Sequence, residues 1–180
     1  MDEEVELLEM PSTERLQDLS VAKRKDISEL KEGDFGEIRA GLIQIFKRNP
    51  FYRVCPTCGG KITEQDSKVT CKEHGEVEPA FQMVLSGVVD DGTGNIRATF
   101  FRELAEKLFG KSTQELRKLA MKATDPLNVY DQFTGVGKEF IFRGRVKRNN
   151  YTENLEFMVN DLQEMDVKRE AEQLVKELAG

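Results

Sequence analysis

Alternating apolar and polar positions predict five β-strands in this chain. A period of two residues sends successive side chains to opposite faces of a sheet. Within residues 95–101 the alternation places Ile96, Ala98 and Phe100 on one face. Within residues 139–148 it places Phe140 and Phe142 on one face. One face of each strand should therefore be core. The five predicted strands are residues 36–46, 81–89, 95–101, 139–148 and 155–162.

Apolar residues at helical spacing predict four helices. They cover residues 12–24, 102–109, 112–123 and 167–178, the third beginning at the capping box Ser112-Thr113-Gln114-Glu115. The last helix carries Val167, Ala171, Leu174, Val175 and Leu178 on one stripe. That stripe must be buried, either on the chain's own sheet or on a partner.

Glycines occur within the first predicted strand and in the turn between the second and third strands. Gly36 and Gly41 in the first strand indicate a bend or bulge, as in a strand that curls around a small barrel. Residues 90–94, Asp-Asp-Gly-Thr-Gly, are typical of a turn, and a carboxylate site there is the less favoured interpretation. Neither these glycines nor Gly137-Lys138 completes a nucleotide-binding motif.

The interval between the first two strands carries a C-x2-C, twelve residues and then C-x2-H. This is the ligand spacing of a tetrahedral zinc site. The ligands would be Cys55, Cys58, Cys71 and His74, which account for every cysteine and histidine in the chain. A redox-active C-x-x-C pair is the alternative, but Pro56 and the following glycines favour a turn over a helix. With no open coordination position indicated, we expect one zinc ion in a structural role.

Charge is unevenly distributed. The net charge is −6, yet residues 1–34 hold 5 Lys/Arg against 11 Asp/Glu, residues 161–180 hold 3 against 6, and the middle holds 19 against 16. A mildly basic body between acidic ends is compatible with an anionic ligand. No apolar run approaches a membrane span. Reduced ligand cysteines and an acidic N-terminus without signal-peptide character predict an intracellular protein, cytoplasmic in an archaeon and nuclear in a eukaryote.

The order of elements favours a known small barrel. Five strands, with helices between the third and fourth and a ribbon inserted between the first and second, match the OB-fold, a mainly β architecture. We expect an acidic tail and lead-in helix over 1–26, the barrel over 27–166 with a zinc ribbon at 47–79, and a C-terminal helix over 167–180.

Three stretches strengthen this expectation. The runs CPTCGGK…CKEHGEVEP, DDGTGNIRATFF and AEKLFG resemble the zinc-containing C-terminal OB-fold of the large subunit of replication protein A, especially its archaeal forms. The resemblance covers about residues 25–165. It implies single-stranded DNA binding in replication, repair and recombination, with the closing helix used for subunit assembly. It also implies a stacking aromatic at Phe101 and, more loosely, another at Tyr151.

Strand alternation supplies further candidates for a nucleic-acid surface. Single-strand binders combine cations for phosphates with aromatic faces for bases. The alternative interpretation of Phe101 is that it only caps the following helix. The alternative interpretation of the cations on the fourth strand is that they form an ordinary solvated sheet surface. The candidates are Arg39, Arg97, Thr99, Phe101, Arg143, Arg145, Lys147 and Tyr151.

We therefore expect single-stranded DNA and probable protein subunits as partners, with no membrane and no small-molecule substrate. No residue pattern indicates a general base, a nucleophile or an open metal site, so we expect no enzyme. Two alternatives remain: an assembly module with secondary DNA contacts, and an RNA-binding barrel with a zinc ribbon.

Overall fold

A computed structural model of the chain describes residues 23–165 and 167–179. These residues form two compact units. The barrel unit comprises Ala22–Ile45, Gly87–Thr99 and Gly135–Gly180, and the ribbon–helix unit comprises Phe46–Ser86 and Phe100–Thr134.

Nine strands and three helices follow one another along the described chain, with 3-10 turns at Ile27–Glu29 and Pro126–Gln132. The strands are β1 (Phe35–Ile45), β2 (Phe51–Val54), β3 (Ile62–Gln65), β4 (Lys68–Cys71), β5 (Gly75–Glu76), β6 (Ala80–Asp90), β7 (Asn95–Phe101), β8 (Glu139–Arg148) and β9 (Leu155–Glu164). The helices are α1 (Glu103–Phe109), α2 (Thr113–Lys122) and α3 (Val167–Ala179). All five strands expected from alternation are present, with ends that differ by at most two residues.

The five long strands close into a barrel. Their order is β1-β8-β9-β7-β6, and a further antiparallel pairing of β1 with β6 completes the circle. β7 and β9 run parallel, while β1–β8 and β8–β9 are antiparallel. Because the barrel is closed, each of these five strands pairs with a neighbouring strand on both sides over at least part of its length. The predicted OB-fold is confirmed, including the ribbon between the first two barrel strands.

Two bulges bend the barrel. The register shifts between Leu42 and Gln44 on β1 and between Arg143 and Gly144 on β8. At Gly144 a Cβ atom would lie only 2.1 Å from the backbone oxygen of Met158. Glycine is required there because the two strands approach too closely for any side chain.

The inward positions of the barrel strands form the core of the barrel unit. Ile38, Leu42, Ala98, Phe142 and Phe157 are fully buried. These residues stand at alternate positions, as expected for strands with one core face and one outer face. The inward assignments made from alternation for Ala98 and Phe142 are therefore confirmed.

The ribbon–helix unit contains a second small sheet and two helices. β2 pairs with the start of β6, and β3, β4 and β5 form a three-stranded sheet. α2 begins at Ser112, whose hydroxyl accepts the backbone N–H of Glu115 at 3.2 Å, as the capping motif predicts. Leu116 of α2 and Phe100 of β7 are fully buried.

The ends of the chain are only partly described. The helix expected over 12–24 lies outside the described residues, except for Lys23 and Arg24, which are not helical; Arg24 forms an isolated bridge to Glu37. The C-terminal helix is confirmed as α3. No helix within the described ranges has the length and hydrophobicity needed to cross a bilayer.

Candidate metal site and binding surface

Cys55, Cys58, Cys71 and His74 come together in the ribbon–helix unit. Their ligand atoms all lie within 4.8 Å of one another. The Cys58 and Cys71 Sγ atoms are 3.7 Å apart, and His74 Nδ1 lies 3.7 Å from Cys55 Sγ and 3.6 Å from Cys71 Sγ. Zinc–ligand bonds of about 2.0–2.3 Å in a tetrahedron separate neighbouring ligand atoms by about 3.5–3.8 Å. The four side chains therefore fit a tetrahedral zinc ion.

Glycine conformation turns the backbone at both ligand pairs. Gly59 follows Cys58 with φ +68°, and Gly75 follows His74 with φ +71°. Positive φ is readily adopted only by glycine. The backbone N–H of Gly59 also bonds the Cys55 carbonyl at 2.8 Å, which closes the first turn. The turns predicted from the sequence are thus what directs the ligands inward.

A short hairpin joins the two ligand pairs. In the β3–β4 pairing, Ile62 stands opposite Cys71 and Gln65 stands opposite Lys68. The two residues that connect the strands, Asp66 and Ser67, both have positive φ. Positive φ at both central residues is the geometry of a type I′ turn, which suits the twist of a two-residue hairpin. The hairpin brings Cys71 close to Cys55, although the two cysteines are separated by residues 56–70.

The backbone also prepares two thiols for a metal. The hydrogen bond from the Cys58 backbone N–H lowers the pKa of the Cys55 thiol. The hydrogen bond from the Glu73 backbone N–H lowers the pKa of the Cys71 thiol. Because the thiolate is the form that binds metal, both bonds favour the ligating state.

On the barrel unit, the cations predicted on the first and fourth strands lie on outer faces. Arg39 Nη2 is 3.4 Å from Glu139 Oε2. Arg143 lies between two carboxylates, with Nε 3.1 Å from Glu37 Oε1 and Nη1 3.6 Å from Asp161 Oδ2. These pairs are partly solvent-exposed, so each is worth only about 0–1 kcal/mol. An anionic ligand can therefore compete for either arginine.

A second row of charges crosses three neighbouring strands. Glu156 on β9 is paired in register with Lys147 on β8 and with Arg97 on β7. Arg97 Nε lies 3.7 Å from Glu156 Oε1. The barrel thus aligns two of the predicted cations on either side of one carboxylate.

Arg145 differs from the other cations on this surface. Its side chain is exposed, and its guanidinium carbon lies 5.6 Å from the centre of the Phe35 ring. That distance is within the range of a cation–π contact. Phe35 was not a candidate from the sequence; it stands opposite Arg145 because β1 and β8 pair in this register.

Tyr151 lies on the loop between β8 and β9 and is 97% exposed. The Asn149 side-chain oxygen accepts the backbone N–H groups of Tyr151 and Thr152 at 2.8 and 3.1 Å. Arg148 donates to the Glu153 carbonyl within the same loop. These bonds order the loop backbone around an aromatic ring that is almost fully accessible.

The structure corrects the expectation for Thr99. This residue is only 8% exposed, so it does not lie on an open face of the strand. Phe101, two residues on, belongs to the ribbon–helix unit and is half-buried. Alternation along a strand distinguishes two faces, but it does not tell which outer positions a neighbour covers.

The closed barrel with an inserted metal-ligand ribbon places this chain among the OB-fold proteins. Residues 35–174 match the family described as the replication factor-A C terminal domain. The chain belongs to that family.

Relatives are found in archaea and eukaryotes. Replication factor A of Methanothermobacter thermautotrophicus is 27% identical over 154 residues, which are 83% of this chain and 19% of that protein. The mouse replication protein A 70 kDa DNA-binding subunit is 28% identical over 143 residues, covering 76% of this chain and 23% of the subunit. The chain thus spans about a fifth to a quarter of the length of these relatives.

Two solved structures share the fold. One belongs to a replication protein A heterotrimer bound to ssDNA, with a TM-score of 0.72, 22% identity, and coverage of 87% of this chain and 40% of the other. The other is yeast RPA bound to ssDNA, with a TM-score of 0.67, 23% identity, and coverage of 95% and 96%. At these identities the likeness is one of fold.

Proposed function

We propose that this protein binds single-stranded DNA in replication, repair and recombination. The observation that carries the proposal is Tyr151, a fully presented aromatic ring on an ordered loop of the barrel unit of a replication factor A family member. Base–aromatic stacking contributes about 1–3 kcal/mol per base and tolerates any base sequence. The relatives and solved structures named above, which include ssDNA complexes, support the same function.

Cations complete the proposed surface. Arg145 is exposed, and Arg39, Arg97, Arg143 and Lys147 lie on the outer faces of the barrel strands. Arg39, Arg97 and Arg143 are paired with carboxylates at 3.1–3.7 Å, which a phosphate can replace at small cost. Thr99 is only 8% exposed, so we propose a smaller contribution from its hydroxyl than from the cations.

Phe101 remains a proposed stacking residue at the end of β7. Its half-buried ring leaves part of the side chain accessible. The alternative, in which Phe101 only covers the start of α1, predicts that its removal affects stability and leaves DNA affinity unchanged.

One zinc ion is proposed as the resident metal. Cys55, Cys58, Cys71 and His74 would hold it and leave no ligand position open, so its contribution would be to fold the ribbon. The fit of the four ligand atoms to a tetrahedron supports this assignment.

A second function, subunit assembly, is favoured by α3. The described apolar side chains of this helix stay exposed, at 48% for Leu174, 65% for Val175 and 88% for Leu178. An exposed apolar stripe on a helix is typical of a surface that packs on a partner. The heterotrimer in one of the solved structures is consistent with this role.

Fluorescence anisotropy with labelled single-stranded DNA, duplex DNA and RNA, each at several salt concentrations, tests the DNA-binding proposal. We expect single-stranded DNA to bind most tightly. Tyr151→Ala and Phe101→Ala should each lose roughly 1–3 kcal/mol of affinity with the salt dependence unchanged. Tyr151→Phe keeps the ring and is the matched control.

The cations should behave differently. Removing Arg143 or Arg145 should reduce the slope of log affinity against log salt by about 0.7 per lost phosphate contact. Lys31→Ala, an exposed cation outside the proposed surface, should leave the slope unchanged. Parental binding by folded Tyr151→Ala and Arg145→Ala proteins would refute the proposed surface, and a preference for RNA would favour the RNA-binding alternative.

A further inference from the structure

An apolar cleft lies in the ribbon–helix unit, built from β2, β6, α2 and the 3-10 turn that follows. Its volume is about 660 Å³. The apolar lining residues are Phe51, Phe81, Ala120, Met121, Pro126 and Leu127. Met121 is 79% exposed. Its flexible thioether is well suited to packing against varied apolar partners. A cleft of this kind on a protein surface usually has an occupant.

The charged residues that line the cleft are basic. Arg53 and Arg117 line it, and none of its described lining residues is acidic. Arg117 stacks on the Phe81 ring at 3.4 Å, and Arg53 is paired with Glu64 at 2.6 Å. α2 adds Lys118 and Lys122, both exposed. An apolar floor beside basic side chains complements a segment that is both apolar and acidic.

The N-terminal segment of this chain has that chemistry. Residues 1–10 read MDEEVELLEM, with five carboxylates, no basic side chain, and apolar residues at 5, 7, 8 and 10. The segment lies outside the described residues, so its amino-acid sequence alone supplies the match. A chain of 22 residues can reach at most about 70–80 Å, which exceeds the dimensions of a domain of this size.

We propose that this cleft binds the acidic N-terminal segment of the chain, residues 1–10. The leucines and Met10 fill the apolar floor, and the carboxylates face Arg117, Lys118 and Lys122. The acidic charge concentrated at residues 1–34 then has a binding role within the protein. The cleft shares no lining residue with the metal ligands or with the DNA-contacting residues proposed above.

Site-directed photo-cross-linking in the 180-residue, zinc-loaded protein tests the proposal. The photoreactive amino acid p-benzoylphenylalanine replaces the exposed Met121, and mass spectrometry identifies the cross-linked peptides. A matched protein carries the label at Val136, an exposed apolar residue of the barrel unit. We expect the label at 121 to cross-link residues 1–10 several-fold more than the label at 136.

Charge reversal makes the test specific. Lys118→Glu with Lys122→Glu should lower the cross-linked fraction several-fold, and these exposed positions leave the fold undisturbed. Adding Glu3→Lys, Glu4→Lys and Glu6→Lys in the same chain should restore it, since the opposite charges again face each other.

Three results would overturn the proposal. Equal cross-linking of residues 1–10 from positions 121 and 136 would show no preference for the cleft. Cross-links from 121 to residues 167–179 would assign the cleft to α3, and cross-links to an added single-stranded oligonucleotide would assign it to nucleic acid.

Discussion

Asp91 holds the turn between β6 and β7 through an unusual number of hydrogen bonds. Its carboxylate accepts the backbone N–H groups of Ile27, Thr93 and Gly94 at 2.8, 2.9 and 3.2 Å. The turn predicted at residues 90–94 is therefore present, and these contacts also bind it to the 3-10 turn at Ile27–Glu29. Partial burial raises the pKa of Asp91, but the hydrogen bonds from Thr93, Ile27 and Gly94 outweigh it, so the net pKa is lowered.

We expect Asp91→Ala to lower the free energy of unfolding by about 1–3 kcal/mol at pH 7, because several hydrogen bonds to a charged group are lost. Urea denaturation measures this. Asp90→Ala is the matched control, since the neighbouring Asp90 carboxylate accepts the Gly92 N–H at 2.7 Å within the same turn. A lower folded-state pKa stabilises the protein above the ordinary value of 3.8, and that stabilisation is lost as pH falls through the lowered folded value.

The difference between the parent protein and Asp91→Ala should therefore be constant from neutral pH down to about 4 and shrink at lower pH. A difference that grows on acidification would contradict the lowered pKa. Equal losses for Asp90→Ala and Asp91→Ala would contradict the special role of Asp91.

At the scale of elements, α3 presents its described apolar residues to solvent. Val175→Asp with Leu178→Asp should reduce the particle mass measured by light scattering, or the capture of purified partner subunits, if the stripe is an assembly surface. Because these side chains are exposed, the midpoint of thermal unfolding should stay unchanged. Lys176→Asp alters the same turn of the same helix and should leave mass and capture unchanged.

A different result would support the alternative in which the stripe packs on the chain's own barrel. In that case the double variant would unfold at a lower temperature while its mass stayed the same. Removing residues 167–180 would likewise lower the unfolding temperature and leave the particle mass, apart from the deleted residues, unchanged.

At the scale of the whole molecule, the barrel unit has buried apolar residues of its own, and the four possible metal ligands all belong to the ribbon–helix unit. Elemental analysis should find one zinc per chain. Zinc-finger peptides owe on the order of 10–16 kcal/mol of apparent free energy to their metal. Chelation should therefore unfold the ribbon, while the barrel strands keep their amide protection in hydrogen exchange.

Two outcomes would contradict this prediction. A zinc content well below one per chain would remove the assignment. Loss of amide protection throughout β1, β8 and β9 on chelation would show that the barrel core is not sufficient by itself.

Much of this architecture follows from local sequence. The five barrel strands, the position of the ribbon and the four metal ligands could all be predicted, because strand alternation and ligand spacing act over a few residues. Cys55 and Cys58 lie on one turn, and glycine follows each ligand pair. The capping of α2 by Ser112 is local in the same way.

Other features were decided by contacts between residues distant in the sequence. The β1–β6 pairing closes the barrel, and Thr99 is buried although alternation had placed it on the outer face. The same long-range registers set Arg143 between two carboxylates and Arg145 over Phe35. The sequence by itself determined the five barrel strands and the spacing of four possible metal ligands, whereas tertiary structure decided which outer residues stay accessible, because accessibility depends on what packs against a strand and not on the strand's own pattern.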